Sequence, residues 1–205
     1  KEIKYRAKTL KDKVFDTVYF GGGTPSFVNE KFIYGAMKLI SQEFKIKPNA
    51  EITLELNPGT ITEEKVKLYK KAGVNRFSVG LQCADDGMLQ RLNRIHTTDD
   101  FVSAMKLLDG ENVSVDIMIG LENQTKDQIE KSIRLASDLG ASHISLYALK
   151  AEEGTITYSK YLNGDLPSED EVAEFYDFSV KLLNSLGFSR YEVSNFCKDG
   201  KFSRH

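Results

Sequence analysis

The sequence predicts an α/β fold, namely a partial (β/α) barrel in which parallel strands are surrounded by outer helices. Strand and helix signals alternate along the chain, and repeated βα units require a parallel sheet with helical crossovers. The chain contains neither the GxGxxG fingerprint nor the GxxxxGK(S/T) phosphate loop, which disfavours an open nucleotide-binding sheet. We therefore expect an open, TIM-like barrel of about five parallel strands, followed by a C-terminal helix–strand extension.

Each strand is predicted from an apolar run, from a period-two alternation, or from both. The segment Glu51–Leu56 alternates clearly, because isoleucine and leucine take every second position around Thr53 and Glu55. The predicted strands are Asp16–Phe20, Glu51–Leu56, Arg76–Leu81, Val113–Ile119 and His143–Leu149, and a last strand-like run covers Arg190–Phe196.

The helices between the strands are predicted from amphipathic spacing and from capping residues. Thr62 is followed by two acids, which is typical of a helix N-terminus, and Thr125 with Gln128 resembles a capping box. The stretch Glu152–Pro167 is predicted to be looser. The predicted helices are Asn29–Phe44, 62–72, Asp86–Leu92, Asp99–Leu108, 125–139 and Ser168–Leu186.

Length and composition indicate an ordinary globular chain with one domain and an appendage. Of the 205 residues, 40% are hydrophobic and 28% charged, which argues against disorder. We expect residues 1–150 to form the partial barrel. Residues 151–205 are expected to form the extension, which would lead toward a further C-terminal domain.

The charge balance and the cysteine count exclude several classes of protein. A net charge of −2 provides no general positive field for nucleic acid, so no nucleic-acid partner is expected. No apolar run approaches the ~20 residues that span a bilayer, and the charged start at Lys1 is unlike a secretory signal. Cys83 and Cys197 lack CxxC spacing and indicate neither a disulfide framework nor a zinc site, so a reducing cytoplasm is the expected location.

Three consecutive glycines follow the first predicted strand and are the main indication of a ligand site. The run Gly21-Gly22-Gly23-Thr24-Pro25 stabilises neither a strand nor a helix, but it lets backbone groups approach a ligand closely. Ligands of α/β proteins bind at the carboxyl ends of the strands. The alternative is a tight strand-to-helix turn that binds nothing.

Polar residues also stand at the ends of the later strands. Asp116 lies within an apolar strand, where a carboxylate is costly unless it is paired; it could pair with Arg76 or Arg94, or accept from a bound hydroxyl or ammonium. Glu55 is either a ligand-binding residue or the polar phase of an alternating strand. Taken alone, Gln82 is weak evidence, and Arg94 would usually be a solvated surface residue. His96 is more typical of a cap or a surface position than of a ligand.

Taken in order, the segments GGGTPS, ELNP, NRFSVGLQ, LNRIH and VDIMIGL resemble one family. They are similar to the radical S-adenosylmethionine enzymes of the coproporphyrinogen oxidase group, which includes the HemN oxidases and the HemW heme chaperones. The segments HISLYALKAEEGT, LPSEDE and YEVSNFCKDGKFSRH resemble the HemW branch in particular. The resemblance runs from about Asp16 to His205 and implies a radical S-adenosylmethionine barrel.

The resemblance implies a role for each residue that matches a family motif. The backbone of Gly21, Gly22, Gly23 and Thr24 would receive the amino end of S-adenosylmethionine, and Pro25 would shape the loop. The methionine carboxylate or the ribose would be contacted by Glu55, Gln82, Arg94 and Asp116. These residue types suit the task, since an arginine fork matches a carboxylate and acids match ribose hydroxyls.

The chain departs from the family in two respects. One is Glu122, which follows Gly120-Leu121 where the family usually has proline and is expected to alter a loop and not the site. The family holds a 4Fe–4S cluster on a CxxxCxxC loop that is not found in this sequence, and two distant cysteines cannot replace three clustered thiolates. We expect the chain to begin in the helix that follows that loop. By resemblance, His205 is a candidate heme ligand, because imidazole is a common axial ligand of heme iron; a disordered terminal histidine is the alternative.

The resemblance leaves two functions open, and an unrelated barrel remains a third possibility. The favoured one is a HemW-like heme chaperone that binds heme and S-adenosylmethionine. The alternative is an oxygen-independent coproporphyrinogen III oxidase, which decarboxylates coproporphyrinogen III to protoporphyrinogen IX. The implied partners are heme or a porphyrinogen, an electron donor such as a flavodoxin-type protein, and a heme-acceptor protein. The 205 residues alone are not expected to perform radical chemistry, since the cluster ligands are missing.

Overall fold

One curved, seven-stranded sheet organises the chain. The computed structural model describes residues 1–10 and 12–205. Strands β1 to β5 are parallel neighbours in chain order, and the order across the sheet is β1-β2-β3-β4-β5-β7-β6. The predicted α/β partial barrel is confirmed. The strands are β1 Val14–Phe20, β2 Lys45–Leu56, β3 Arg76–Gln82, β4 Val113–Ile119, β5 His143–Ala148, β6 Ser189–Arg190 and β7 Asn195–Cys197.

Helices cross between the parallel strands and cover the outer face of the sheet. Thr62 caps the helix Glu63–Lys71 through the backbone N–H of Lys65, and the predicted capping box of Thr125 and Gln128 is formed. Single 3₁₀ turns lie at Pro25–Phe27 and Pro58–Thr60. The helices are α1 Glu2–Leu10, α2 Glu30–Glu43, α3 Glu63–Lys71, α4 Asp86–Arg91, α5 Thr98–Leu107, α6 Lys126–Asp138, α7 Ile156–Leu162 and α8 Glu169–Ser185.

The C-terminal part differs from the prediction in two places. The looser stretch Glu152–Pro167 contains the short helix α7, which Thr155 caps through the N–H of Tyr158. The predicted run Arg190–Phe196 is two short strands, because the chain turns between β6 and β7 and the two pair antiparallel. Strand β7 also pairs antiparallel with β5, so the extension continues the sheet of the barrel.

The two faces of the sheet have opposite character because side chains alternate along each strand. The outer face carries fully buried apolar residues such as Leu54, Phe77 and Ile117, which pack against the helices. Each contributes roughly 1.5–3 kcal/mol of burial free energy. The inner face carries mainly polar side chains. The candidate ligand site lies on this polar inner face.

The strand register arranges these inner polar residues in rows. Thr53 of β2 lies opposite Arg76 of β3. In the next row, Ser78, Ser114 and His143 are neighbours across three strands. One row further toward the carboxyl ends, Asp116 lies opposite Ser145.

Candidate functional site

A cavity at the carboxyl ends of β1 to β4 brings together most of the residues singled out in the sequence. We call it the rim cavity. Its volume is about 170 Å³, and it adjoins a larger chamber on the inner face. Of the predicted site residues, its lining contains Gly23, Thr24, Pro25, Glu55, Gln82, Arg94 and Asp116. Gly21 and Gly22 lie next to this lining in the same loop, and His205 lines the larger chamber.

The glycine loop has a conformation that other residues adopt only with strain. Gly22 and Gly23 have φ of +83° and +58°, in the left-handed region. Gly21 is required for a different reason, since a Cβ there would lie 2.4 Å from Tyr19 Cε1 and 3.0 Å from Glu55 Oε1. The three glycines therefore allow a left-handed backbone and close packing, and they also leave the backbone exposed.

Glu55 anchors the glycine loop while it lines the rim cavity. Its Oε2 accepts from the backbone N–H of Gly22 at 3.1 Å, and its Oε1 accepts from the hydroxyl of Tyr19 at 2.5 Å. Burial, together with this hydrogen bond, raises the pKa of Tyr19 well above its usual value, so Tyr19 remains a donor. Glu55, a polar residue on an alternating strand, thus has a specific structural role, which is to hold the glycine loop. The sequence did not indicate Tyr19.

Gln82 occupies a strained backbone position at the end of β3. Its φ is +68°, and the register between β3 and β4 shifts between Gly80 and Gln82. The side chain folds back so closely that a Cβ on Gly80 would lie 2.9 Å from Gln82 Nε2. A bulge of this kind directs a side chain out of the regular sheet pattern, here into the rim cavity.

Asp116 lies between the rim cavity and the larger chamber. The hydroxyl of Ser78 donates to its Oδ2 at 3.3 Å. Burial raises the pKa of Asp116 from 3.8 to about 6, although hydrogen bonds from Ser145 and Ser78 oppose the rise. Among the described residues, Asp116 forms no ion pair with either Arg76 or Arg94, the two partners that the sequence left open, and Arg76 is ion-paired with Glu51 instead.

Arg94 reaches the rim cavity from the turn that follows α4. Asn93, with φ of +54°, ends that helix, and the N–H of Arg94 donates to the carbonyl of Leu89. The side chain of Arg94 is exposed and able to adjust to a ligand. His96, expected at a cap or at the surface, is buried, with its Nε2 at 3.3 Å from the Leu81 carbonyl. Burial lowers its pKa.

The larger chamber has a volume of about 690 Å³, and we call it the inner chamber. His143 lies on its wall, with Nδ1 at 2.7 Å from Ser114 Oγ and Nε2 at 2.8 Å from the Tyr191 hydroxyl. Burial and the nearby Arg76 lower the pKa of His143 to about 3, so its ring is neutral at pH 7. The ring of His205 stacks on that of Tyr19, with their centroids 4.0 Å apart.

A period-two signal marks the inner-chamber residues that the sequence analysis did not single out. On β3, Arg76 and Ser78 alternate with buried apolar residues, and on β5 His143, Ser145 and Tyr147 do the same. Polar residues at every second position of successive parallel strands indicate a polar barrel interior. Only β2 was interpreted in this way from the sequence.

The residues present do not fit an iron–sulfur cluster. The described part of the chain contains no group of three or more histidine, cysteine or acidic side chains placed to hold a metal. Cys83 and Cys197 are both buried, and burial raises the pKa of the Cys83 thiol to about 11. Nor does any helix within the described ranges have the length and apolarity to cross a membrane.

Comparison with solved structures relates this architecture to a known enzyme. Coproporphyrinogen III oxidase (HemN) from Escherichia coli, a radical SAM enzyme, superposes with a TM-score of 0.86. The match covers 97% of this chain and 47% of that chain at 22% identity, which shows a shared fold.

Comparison of sequences finds relatives that are about twice as long. The heme chaperone HemW of Bacillus subtilis (strain 168) is 35% identical over 195 residues, covering 92% of this chain and 52% of the relative. The mitochondrial radical S-adenosyl methionine domain-containing protein 1 of Mus musculus is 37% identical over 199 residues, covering 93% and 44%. The chain thus spans about half the length of the curated relatives that it matches.

A family model settles the assignment. The model of the Radical SAM superfamily matches residues 1–136, which is more than half of the chain. Membership implies S-adenosylmethionine and a 4Fe–4S cluster as the cofactors of the superfamily. On the combined evidence of the family model, the HemW relatives and the HemN fold, this chain belongs to the radical SAM superfamily and fits its HemN/HemW group.

Proposed function

We propose that the chain is the S-adenosylmethionine-binding barrel of a HemW-like heme chaperone. The observation that carries the proposal is the convergence of the glycine loop, Glu55, Gln82, Arg94 and Asp116 on one cavity. These groups come from five separate places in the chain, and a ligand is the simplest physical reason for collecting them at one rim. The heme part of the proposal is supported by the HemW relatives, at 32–36% identity.

The lining complements the separate parts of S-adenosylmethionine. The guanidinium of Arg94 suits the carboxylate, and the carbonyls of the glycine loop suit the ammonium. Asp116 suits the ribose hydroxyls, and the negative charges of Asp116 and Glu55 favour the sulfonium cation. When bound, the cofactor supplies a sulfonium-activated carbon. The residues of this chain bind and orient it.

The position of Glu55 gives the site a preorganised part and an adjustable part. Because Glu55 holds Gly22 and Tyr19 in place, the loop geometry exists before the ligand arrives. Arg94, exposed on a turn, is the part that closes on the ligand.

Substituting Arg94 tests the S-adenosylmethionine site. Arg94→Ala is expected to weaken binding at least about tenfold, since a charge-assisted bidentate contact contributes roughly 1.5–3 kcal/mol. Arg91→Ala is the matched control, because Arg91 is also exposed but lines a different cavity beside α7. Titration calorimetry with S-adenosylmethionine measures both. Unchanged affinity in Arg94→Ala, or equal losses in the two variants, would remove Arg94 from the site.

Titration with hemin tests the chaperone part. We expect a stable Soret band for the chain and a weaker band for His205→Ala, since His205 is the proposed iron ligand. His96→Ala does not serve as a control because His96 is buried; hemin binding by the free imidazole of added histidine provides the baseline instead. No Soret band above that baseline would contradict heme binding by these 205 residues.

No feature of the site favours the alternative function, that of a coproporphyrinogen III oxidase. The chain is 22% identical to HemN, and a similarity at this level shows a shared fold but indicates no shared activity. The assay uses a protein that contains this barrel and has the length of the relatives. Its anaerobic turnover of coproporphyrinogen III, with reductant, would favour the oxidase over the chaperone. For that longer protein we also propose an electron donor of the flavodoxin type and a heme-acceptor protein.

A further inference from the structure

Residues 198–205 form a tail that leaves β7 and returns toward the opposite end of the sheet. Strand β7 lies between β5 and β6, whereas β1 and β2 occupy the other end of the sheet order. The tail begins with a turn, in which the N–H of Lys201 donates to the carbonyl of Lys198 at 2.9 Å. Beyond this turn, Ser203 and His205 line the inner chamber together with Tyr19 of β1. The tail therefore connects strands that are distant in the sheet order.

Hydrogen bonds hold the tail at both ends of this path. On the β7 side, the N–H of Ser203 donates to the hydroxyl of Tyr191 at 3.1 Å. On the β2 side, the N–H of Arg204 donates to Glu51 Oε1 at 2.9 Å, and Nη1 of the same arginine donates to the Asn49 carbonyl at 2.8 Å. These bonds fix the backbone of the tail immediately before its last residue, so the fold sets where that residue lies.

A continuous series of contacts joins the tail to the glycine loop. The ring of His205 stacks on the ring of Tyr19, with their centroids 4.0 Å apart and their planes 26° apart. The Tyr19 hydroxyl donates to Glu55 Oε1 at 2.5 Å, and Glu55 Oε2 accepts from the N–H of Gly22 at 3.1 Å. The Tyr19 ring also lies so close to Gly21 that a Cβ there would be 2.4 Å from its Cε1. Tyr19 therefore contacts both the tail and the loop.

We propose that the tail is a clasp for the S-adenosylmethionine site, in which His205 holds the Tyr19 ring and Tyr19 holds Glu55 and the glycine loop in the binding conformation. This inference rests on the proposed function, because it assigns a means of regulation to the same rim cavity. Among the described residues, Tyr19 and His205 line the inner chamber and not the rim cavity. Tyr19 is thus a positioning residue, which acts on the ligand through Glu55.

Loss of either contact of Tyr19 is expected to loosen the glycine loop. Without the Tyr19 hydroxyl, Glu55 keeps the bond from Gly22 but gains side-chain freedom. The loop is then ordered only when the ligand binds, and that ordering lowers the affinity. By linkage, a partner that draws His205 away from Tyr19 weakens S-adenosylmethionine binding, and bound S-adenosylmethionine weakens the binding of that partner by the same factor. Since His205 is also the proposed heme ligand, the clasp connects the two ligands of the proposed function.

Hydrogen exchange of the Gly22 N–H, followed by nuclear magnetic resonance without any ligand, tests the clasp itself. Tyr19→Phe keeps the ring and removes the hydroxyl, and we expect it to speed this exchange about threefold or more. His205→Ala removes the stacked ring and should speed the exchange about twofold or more. The controls are Tyr161→Phe on α7 and Lys201→Ala in the tail, both at exposed positions, which should leave the exchange unchanged. Unchanged exchange in His205→Ala would overturn the clasp.

A double-mutant cycle, measured by titration calorimetry with S-adenosylmethionine, tests the effect of the clasp on binding. Tyr19→Phe and His205→Ala are each expected to weaken binding about twofold to tenfold. Because His205 acts through the Tyr19 hydroxyl, adding His205→Ala to Tyr19→Phe should cause little further loss. Losses that add in full would show that His205 does not act through Tyr19 and would overturn the proposal.

The two measurements distinguish a failure of the clasp from a failure of the proposed function. If the unaltered chain did not bind S-adenosylmethionine, the proposed function would be contradicted, whereas faster exchange of Gly22 in His205→Ala would still support the clasp. If the unaltered chain bound S-adenosylmethionine and the exchange of Gly22 did not respond to His205→Ala, the proposed function would stand and the clasp would be wrong.

Discussion

Asp116→Asn is expected to raise the free energy of unfolding at pH 7 by on the order of 1–3 kcal/mol. Burial raises the pKa of Asp116 from 3.8 to about 6, so the folded state binds a proton more readily than the unfolded state does. The ionised carboxylate therefore destabilises the fold. This cost develops as the pH rises from about 4 to 6 and is fully present above that range. Asparagine carries no charge and avoids it.

Urea unfolding at two pH values isolates this effect. The gain from Asp116→Asn should be present at pH 7 and absent near pH 3, where the native carboxyl is already protonated. Asp99→Asn is a suitable control, because Asp99 lies on the exposed first turn of α5. A gain of equal size at both pH values would show that charge burial is not the cause.

The same variant is expected to bind S-adenosylmethionine at least about tenfold more weakly, because it loses an ionised acceptor. In the unaltered chain, affinity should fall as the pH drops through about 6, where Asp116 becomes protonated. Calorimetry between pH 5 and 8 measures both. A pH-independent affinity would remove Asp116 from the binding site. A gain in stability combined with a loss of binding is typical of a functional residue.

Gly21→Ala is expected to weaken S-adenosylmethionine binding at the rim cavity, because the added Cβ displaces two neighbouring side chains at once. The added Cβ would lie 2.4 Å from the Tyr19 ring and 3.0 Å from Glu55 Oε1, so the hydrogen bonds of Glu55 to the loop cannot persist unchanged. We expect a loss of 1–3 kcal/mol in stability, as for other overpacked sites. S-adenosylmethionine affinity should fall by about tenfold or more.

Gly35→Ala is the matched control for this substitution. Gly35 lies on an exposed face of α2, where an added Cβ meets nothing within 4 Å. Alanine there should raise stability by up to about 1 kcal/mol through helix propensity and leave binding unchanged. Thermal unfolding and calorimetry compare the pair. If Gly21→Ala bound as tightly as Gly35→Ala, the close approach at Gly21 would have no functional meaning.

Local patterns were sufficient for the elements that carry strong periodicity. The bounds of β4, Val113–Ile119, agree with the prediction, because an apolar run with clear ends is a local property. Strand β2 begins at Lys45, earlier than predicted. The sequence pattern missed its first half because that half is charged, contains Pro48 and lacks apolar alternation. A register shift separates the pairing of that half with β1 from the pairing of the second half. Helix α7 was not predicted because it lies in a stretch without a clear apolar face.

The site could be predicted only where family motifs mark it. Glu55, Gln82, Arg94 and Asp116 were named from the sequence, and the rim cavity contains all four. The contact of Tyr19 with Glu55 joins residues 36 positions apart and depends on strand register, which no local pattern encodes. Arg76 was named as one possible partner for Asp116, but the register places it two rows lower, beside Thr53.

The opposite character of the two sheet faces has a consequence for how this protein can diverge. The apolar packing resides in one set of alternating positions, so exchanges in the other set leave that packing in place. Exchanging Ser78, Ser114 or Ser145 for other small polar residues alters the inner wall while the packed outer face stays intact. Libraries restricted to these alternate positions should accordingly yield mostly folded variants.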